Sequence, residues 1–246
     1  MSLLTVIRSL NSKKPPTCTA VIAAAGLSSR CEGEDKLLYD INGKPLIAYT
    51  IDAFERSKSI NEIIIVTRED KIGDISRICI KYGFKKVSLI MKGGPTRLDS
   101  VINGIFAASG KNRLIAIHDG ARPCIDGKIL DETIKRAALY NAAAPGIPIT
   151  STIKKATDGI IEKTVDRDRL YEIQTPQIFR AELIKAALIN ARKKSVDITD
   201  DCMAVELLGA KVYIVEGSRR NIKITEPEDF ELIKSYLSED KETLCE

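Results

Sequence analysis

From residue 19 onward, short apolar runs alternate with longer stretches in which apolar positions recur every three or four residues. The runs 20–25, 63–67, 87–91 and 114–118 are mostly apolar, as strands covered on both faces must be. The stretches 46–56, 71–82 and 96–109 repeat at helical spacing, and Val101, Ile105 and Ala108 fall on one face of the last. Strands alternating with helices predict an α/β fold, a doubly wound and mostly parallel sheet with helices on both faces.

The rhythm changes after a helical pattern at 128–140. Residues 145–165 read as extended, with a turn at Thr157-Asp158-Gly159. Positions 153–155 and 160–165 have little core to face, so a protruding β-arm, about 147–170 with its flanks, is predicted. Such an arm needs a partner surface, and a homodimer contact is the economical one. Helix, strand and helix return at 198–208, 211–215 and 227–237. Before the last, Thr225 and Glu228 have the spacing of a capping box, Pro227 suits the first turn, and Phe230, Ile233 and Leu237 share a face. The run Lys13-Lys14-Pro15-Pro16 resists helix and strand alike. The expected organisation is a loose leader at 1–17, a single domain at 18–240 and a tail at 241–246.

Composition narrows the function. With 44% hydrophobic and 29% charged residues, the chain can bury a substantial core. A net charge of +4 is too small to coat nucleic acid, so no nucleic-acid partner is expected and local cations must hold any phosphate. Six scattered cysteines, without a C-x-x-C pair and with one histidine to join them, argue against structural zinc and a disulfide scaffold. No apolar run reaches eighteen residues, and the N-terminus lacks a signal-peptide core. The expectation is a cytoplasmic protein with no membrane partner.

The first strand runs into Ala23-Ala24-Ala25-Gly26-Leu27-Ser28-Ser29-Arg30, with Lys36 six residues on. Small residues at the carboxyl end of a parallel strand let backbone N–H groups approach a ligand, and two cations suit a triphosphate. The spacing excludes a dinucleotide G-x-G-x-x-G, and no Walker Gly-Lys-Ser/Thr occurs, so neither hydride transfer nor ATP hydrolysis is supported. Asp119 and Gly120 follow the fourth strand, at the same edge of the predicted sheet. His118 reads as structural.

Ala24-Ala25-Gly26 with Arg30 and Lys36 resembles the signature of nucleotidyltransferases with a Rossmann-like domain of the nucleotide-diphospho-sugar transferase type. Four further stretches resemble the 2-C-methyl-D-erythritol 4-phosphate cytidylyltransferases of isoprenoid biosynthesis. They are His118-Asp119-Gly120-Ala121-Arg122-Pro123, Thr164-Val165-Asp166-Arg167, Gln174-Thr175-Pro176-Gln177 and Asn221-Ile222-Lys223-Ile224-Thr225, and with the first they span nearly all of 19–237.

The resemblance implies cytidylyl transfer from CTP to methylerythritol phosphate with release of pyrophosphate. It implies Mg2+ or another divalent cation held mainly by the CTP phosphates, with no metal ligand assigned to the chain. Arg30 and Lys36 would grip the triphosphate, and Gly94 and Ser100 would enclose the cytosine. Ala24, Ala25, Gly26 and Gly120 would border the nucleotide, and Asp119 would neighbour substrate and metal. Thr175 would join the acceptor contacts, and Lys223 would reach the substrate phosphates. Thr152 and Arg167 match positions that hold the acceptor phosphate across a dimer. The catalytic candidates are thus Arg30, Lys36, Arg167 and Lys223.

On its residues alone, Ser100 could be an ordinary helix position, and Arg167 could pair with Asp166, Asp168 or Glu172. A ribitol-phosphate cytidylyltransferase of the same fold is the alternative activity, and a silent nucleotide-binding protein is a third. The arm and Asp119-Gly120-Ala121-Arg122-Pro123 favour the methylerythritol enzyme. The chain departs from the family pattern at Ser28, Cys31 and Asp35, and at Pro95 and Arg220, where acidic residues are common.

Overall fold

The computed structural model describes residues 16–26 and 35–243, with side chains described as far as residue 238. The leader before residue 16, the tail after 243, and Ser28, Arg30 and Cys31 lie outside the described residues. The chain runs from β1 (Cys18–Ala24) through β2 (Asp40–Ile41) and β3 (Lys44–Pro45) to α1 (Leu46–Arg56) and β4 (Ile60–Thr67). A 3-10 turn at Glu69–Lys71 leads into α2 (Ile72–Tyr82), β5 (Val87–Lys92), α3 (Arg97–Ala107), β6 (Leu114–Asp119) and α4 (Gly127–Tyr140). Then come β7 (Ala142–Pro148), β8 (Ile153–Thr157), β9 (Ile160–Val165), β10 (Tyr171–Ile173) and β11 (Gln177–Arg180). The last elements are α5 (Ala181–Lys193), α6 (Asp201–Glu206), β12 (Tyr213–Glu216) and α7 (Glu228–Thr243).

The apolar runs make the centre of the sheet. β1 lies between β4 and β6, parallel to both, and β5 extends the parallel set beyond β4. On the other side β11 runs antiparallel to β6 and to β7, β10 pairs with the far end of β7, and β12 lies parallel to β7. Because successive strand residues face opposite sides, two cores form. Ile22, Ile63 and Ile65 pack with α1, α2, α4 and α7, while Val21, Ile64 and Val66 pack with α3, α5 and α6. Gly104 lets α3 sit low on the sheet, since a Cβ there would lie 2.5 Å from Val21 and 2.7 Å from Val66. That approach sets the N-terminus of α3 beside the carboxyl ends of the central strands.

Four details depart from the sequence expectation. Residues 145–148 belong to β7 in the central sheet, so the free ribbon is β8 and β9, which pair only with each other. Its turn has Asp158 at φ 50° and Gly159 at φ 78°, the left-handed pair of a two-residue hairpin. The helix expected at 198–208 is the shorter α6, capped by Asp200 accepting from the Met203 N–H. Helix α5 was not anticipated. At α7 the capping partner is Asp229 rather than Glu228: its carboxylate accepts from the N–H groups of Thr225 (2.7 Å) and Glu226 (3.0 Å). No helix among the described residues is long and apolar enough to cross a membrane.

Candidate active site

At the carboxyl ends of β1 and β6 opens a cleft of about 350 Å³, bordered by Ala23 to Gly26, Lys36, Gly94 to Arg97, Ser100, Asp119, Ala121 and Lys223. Of the predicted nucleotide residues, Ala24, Ala25, Gly26, Gly94, Ser100 and Asp119 therefore meet here. Ser100 is buried and does more than an ordinary helix position. Its hydroxyl donates to the Thr96 carbonyl (2.9 Å) and accepts from the Gly94 N–H (3.1 Å), pinning the glycine loop to the start of α3. A Cβ at Gly94 would lie 2.3 Å from that of Asp99, so the loop closes this tightly only with glycine.

Asp119 is the electrostatic centre. Its carboxylate lies 3.0 Å from Lys223 Nζ, 3.6 Å from Arg122 Nε and 3.8 Å from Arg97 Nη2. Burial alone would raise its pKa, but Lys223, Arg97 and Arg122 together outweigh it and hold the group down at about 2. Asp119 is thus ionised at neutral pH. Lys36 reaches the same cleft from the β1 side, and its Nζ donates to the Ile224 carbonyl at 3.0 Å.

Beneath Asp119, His118 is fully buried. Its Nε2 donates to the Arg122 carbonyl at 3.1 Å, and its Nδ1 meets the Thr175 hydroxyl at 3.0 Å. The carbonyl can only accept, which fixes the Nε2–H tautomer and leaves Nδ1 as acceptor of the Thr175 O–H. Burial depresses the imidazole pKa to about 4. It is neutral and fully bonded, as a structural histidine should be.

Several predicted residues stand elsewhere. Thr175 is buried, its hydroxyl is bonded to His118 and to the Asp119 N–H (3.1 Å), and it is not among the residues bordering the cleft. Gly120 also stays out of the lining: its N–H donates to the Ala23 carbonyl, and a Cβ would press on Ile47 and that carbonyl. Thr152 and Arg167 sit exposed at the root of the arm and do not border this chain's cleft. The Arg167 guanidinium donates to the Thr150 carbonyl rather than to Asp166, Asp168 or Glu172.

Two site cations escaped the sequence reading. Arg97, in the first turn of α3, forks onto Asp201 (2.7 and 3.2 Å) while its edge faces Asp119. Asp201 is wholly buried; desolvation lifts its pKa and Arg97 opposes that rise. Arg122 was inside a recognised motif and could have been found there. A larger groove of about 680 Å³ lies between α1, the 123–127 segment and α7, but its Lys44 and Arg56 are both paired with Asp52.

Over residues 18–239 the sequence matches the IspD family, 2-C-methyl-D-erythritol 4-phosphate cytidylyltransferase. The chain belongs to this family. It is 46% identical over 221 residues to the enzyme of that name from Clostridium acetobutylicum, covering 89% of this chain and 96% of that one. The corresponding protein of Caldanaerobacter subterraneus is 43% identical over 222 residues, covering 89% and 98%. The crystal structure of 4-diphosphocytidyl-2C-methyl-D-erythritol synthase from Anaerococcus prevotii superposes with a TM-score of 0.81 at 30% identity, covering 95% of this chain and 99% of that one.

Two of this cytidylyltransferase's departures from its family now have a physical account. Asp35, in place of the proline before the site lysine, pairs with Arg68 (3.0 Å) and accepts from the Leu37 N–H, fixing the turn that carries Lys36. Arg220 is engaged with α7. Its guanidinium donates to the Tyr236 carbonyl at 2.6 Å and stacks on that ring, tying the loop to α7. Pro95 borders the cleft, and nothing in the structure explains it.

Proposed function

We infer that this cleft is where the protein transfers the cytidylyl group of CTP to 2-C-methyl-D-erythritol 4-phosphate, giving 4-diphosphocytidyl-2-C-methyl-D-erythritol and pyrophosphate. The observation that carries the reading is the gathering of Lys223, Arg97 and Arg122 about one ionised carboxylate, Asp119, at the carboxyl edge of the sheet, in a cleft that Lys36 also borders. That edge is where open α/β sheets take nucleotides.

The chemistry is in-line displacement. A phosphate oxygen of the acceptor forms a bond to the α-phosphorus of CTP as the α–β bridging bond breaks, and pyrophosphate carries away the electron pair. The second pKa of a phosphate monoester is about 6, so the acceptor is largely dianionic at neutral pH and needs no general base. This agrees with His118 being neutral and occupied on both nitrogens. Lys36, Lys223 and, by family resemblance, Arg30 would stabilise the charge developing on the phosphates.

Among the described residues no group of three or more His, Cys, Asp or Glu is arranged to hold a metal, and Asp119 is the one carboxylate bordering the cleft. A lone ionised carboxylate fits Mg2+ held mainly by nucleotide phosphates, so Asp119 is the residue that would touch it. The ion, when bound, would screen the triphosphate and ease departure of pyrophosphate. We further read residues 18–240 as one cytoplasmic domain that works as a homodimer through the arm, with Thr152 and Arg167 serving the partner's cleft.

The test is pyrophosphate release with CTP and Mg2+, run in parallel with methylerythritol phosphate and ribitol 5-phosphate. Turnover should be far faster with the first. Equal or reversed rates would overturn the acceptor assignment.

A further inference from the structure

The segment that carries Lys223 has no regular secondary structure, yet it is fastened closely to the site. Asn221, two residues earlier, is wholly buried and does not border the cleft. Its Nδ2 donates to the Thr175 carbonyl at 2.9 Å and approaches Gln174 Oε1 at 3.3 Å. Its backbone carbonyl accepts from Arg122 Nη1 at 2.7 Å, and its N–H donates to Ser218. Three residues on, the Ile224 N–H donates to Ala121 while the Ile224 carbonyl receives Lys36 Nζ.

These bonds tie Asn221 to both sides of Asp119. Thr175, on one side, accepts from the Asp119 N–H; Arg122, on the other, faces the Asp119 carboxylate. Lys223 then reaches that carboxylate at 3.0 Å with its side chain 40% exposed, at the border of the cleft. The amide orientation follows from its partners. Thr175 offers a carbonyl, and Gln174 is fixed with its oxygen towards Asn221 because its own nitrogen donates to the Ser218 carbonyl. Both partners are acceptors, so only a neutral donor suits the place, and Asn221 Oδ1 is left without a partner. Aspartate would set oxygen against oxygen, and alanine would strand a buried carbonyl.

We propose that Asn221 is a positioning residue of the transfer, fixing the 221–225 segment so that Lys223 meets the triphosphate and Lys36 is held against Ile224. The proposal rests on the cleft being the cytidylyl-transfer site. A segment free to shift by an ångström would leave both ammonium groups in the protein but out of register with the charge they must stabilise, and such misplacement can reduce a rate about 100-fold.

The test is a double-mutant cycle of Asn221→Ala and Lys223→Ala, followed by pyrophosphate release with CTP and methylerythritol phosphate, with the thermal midpoint of each variant measured alongside. Asn221→Ala should lower kcat at least tenfold, more than it raises the KM for CTP, and should lower it by a clearly smaller factor when Lys223 is already alanine, the remainder being what is lost through Lys36. Equal factors in both backgrounds, or an unchanged kcat in Asn221→Ala, would overturn the proposal. If Asn221→Ala does not fold, Asn221→Ser, whose hydroxyl keeps one donor, carries the same cycle and the same criteria. An unchanged rate in Lys223→Ala alone would remove the assignment of the cleft itself, and the role of Asn221 with it.

Discussion

Asp201 shows what the site asks of single side chains. It has no exposure to water, and its counter-charge is the Arg97 fork, which also lends charge to Asp119. Arg97→Met should therefore destabilise the fold by about 3 kcal/mol, the low end for a broken buried pair because Arg97 keeps part of its side chain in solvent. Arg97→Met with Asp201→Asn should recover much of that loss in urea unfolding; a double variant no more stable than the single would show that the carboxylate is not what the arginine neutralises. His118 permits a second measurement, since it is the chain's one histidine. Burial lowers its folded pKa from 6.5 to about 4, so the unfolded chain takes up a proton in this interval that the folded chain refuses. Stability is then full above pH 6.5 and falls as pH drops towards 4. Asp119, held at about 2, adds its own loss only below about pH 4, while Asp201, raised by burial, works in the opposite sense. His118→Gln should flatten the urea midpoint between pH 6.5 and 5; an unaltered slope would assign the proton uptake to another group.

At the scale of elements, the β8–β9 ribbon stands apart from the sheet. Ile160 and Ile161 are neighbours on β9 and so point to opposite faces, yet they are 73% and 61% exposed. An isolated two-stranded ribbon is marginal in water, and one apolar on both faces needs cover on both. Ile160→Asp with Ile161→Asp should give a monomer in sedimentation with an unchanged circular-dichroism spectrum; a persisting dimer would mean the subunits meet elsewhere. This ribbon was legible in the sequence because Asp158-Gly159 names its turn, and β4 because Ile63, Ile64 and Ile65 can only be buried on both faces. Helix α5 was not, because its buried stripe is largely alanine, Ala181, Ala187 and Ala191 beside Ile184 and Leu188, a weak periodic signal. Nor were β10 and β11, since Gln174-Thr175-Pro176 interrupts them and their pairing with β7 is long-range. The site divides in the same way. Lys36, Asp119 and Lys223 lie in ordered motifs, but Arg97 gains its role only from Asp201, 104 residues away, and otherwise reads as a solvated charge at a helix start.

At the scale of the whole molecule, the cleft and the arm separate the proposed machinery. Lys36, Asp119 and Lys223 converge in one chain, whereas Thr152 and Arg167 lie exposed at the root of the arm and are not among the residues bordering the same chain's cleft. The homodimer reading resolves this if each arm delivers Arg167 to its partner's cleft, where a guanidinium can pair with the acceptor phosphate. A Lys36→Ala protein would then lack a group in its own cleft, and an Arg167→Ala protein a group in its partner's. Each homodimer should be nearly inactive. When the two are mixed and exchange subunits, every heterodimer has one cleft with both defects and one with neither. Random exchange should therefore restore about a quarter of the wild-type activity, because half the dimers are mixed and half their sites are intact. Exchange can be followed separately by native mass spectrometry with one parent isotope-labelled. If heterodimers form and the rate stays at the level of the parents, Arg167 acts within its own subunit, and the arm must fold back on its own cleft instead of crossing to the other.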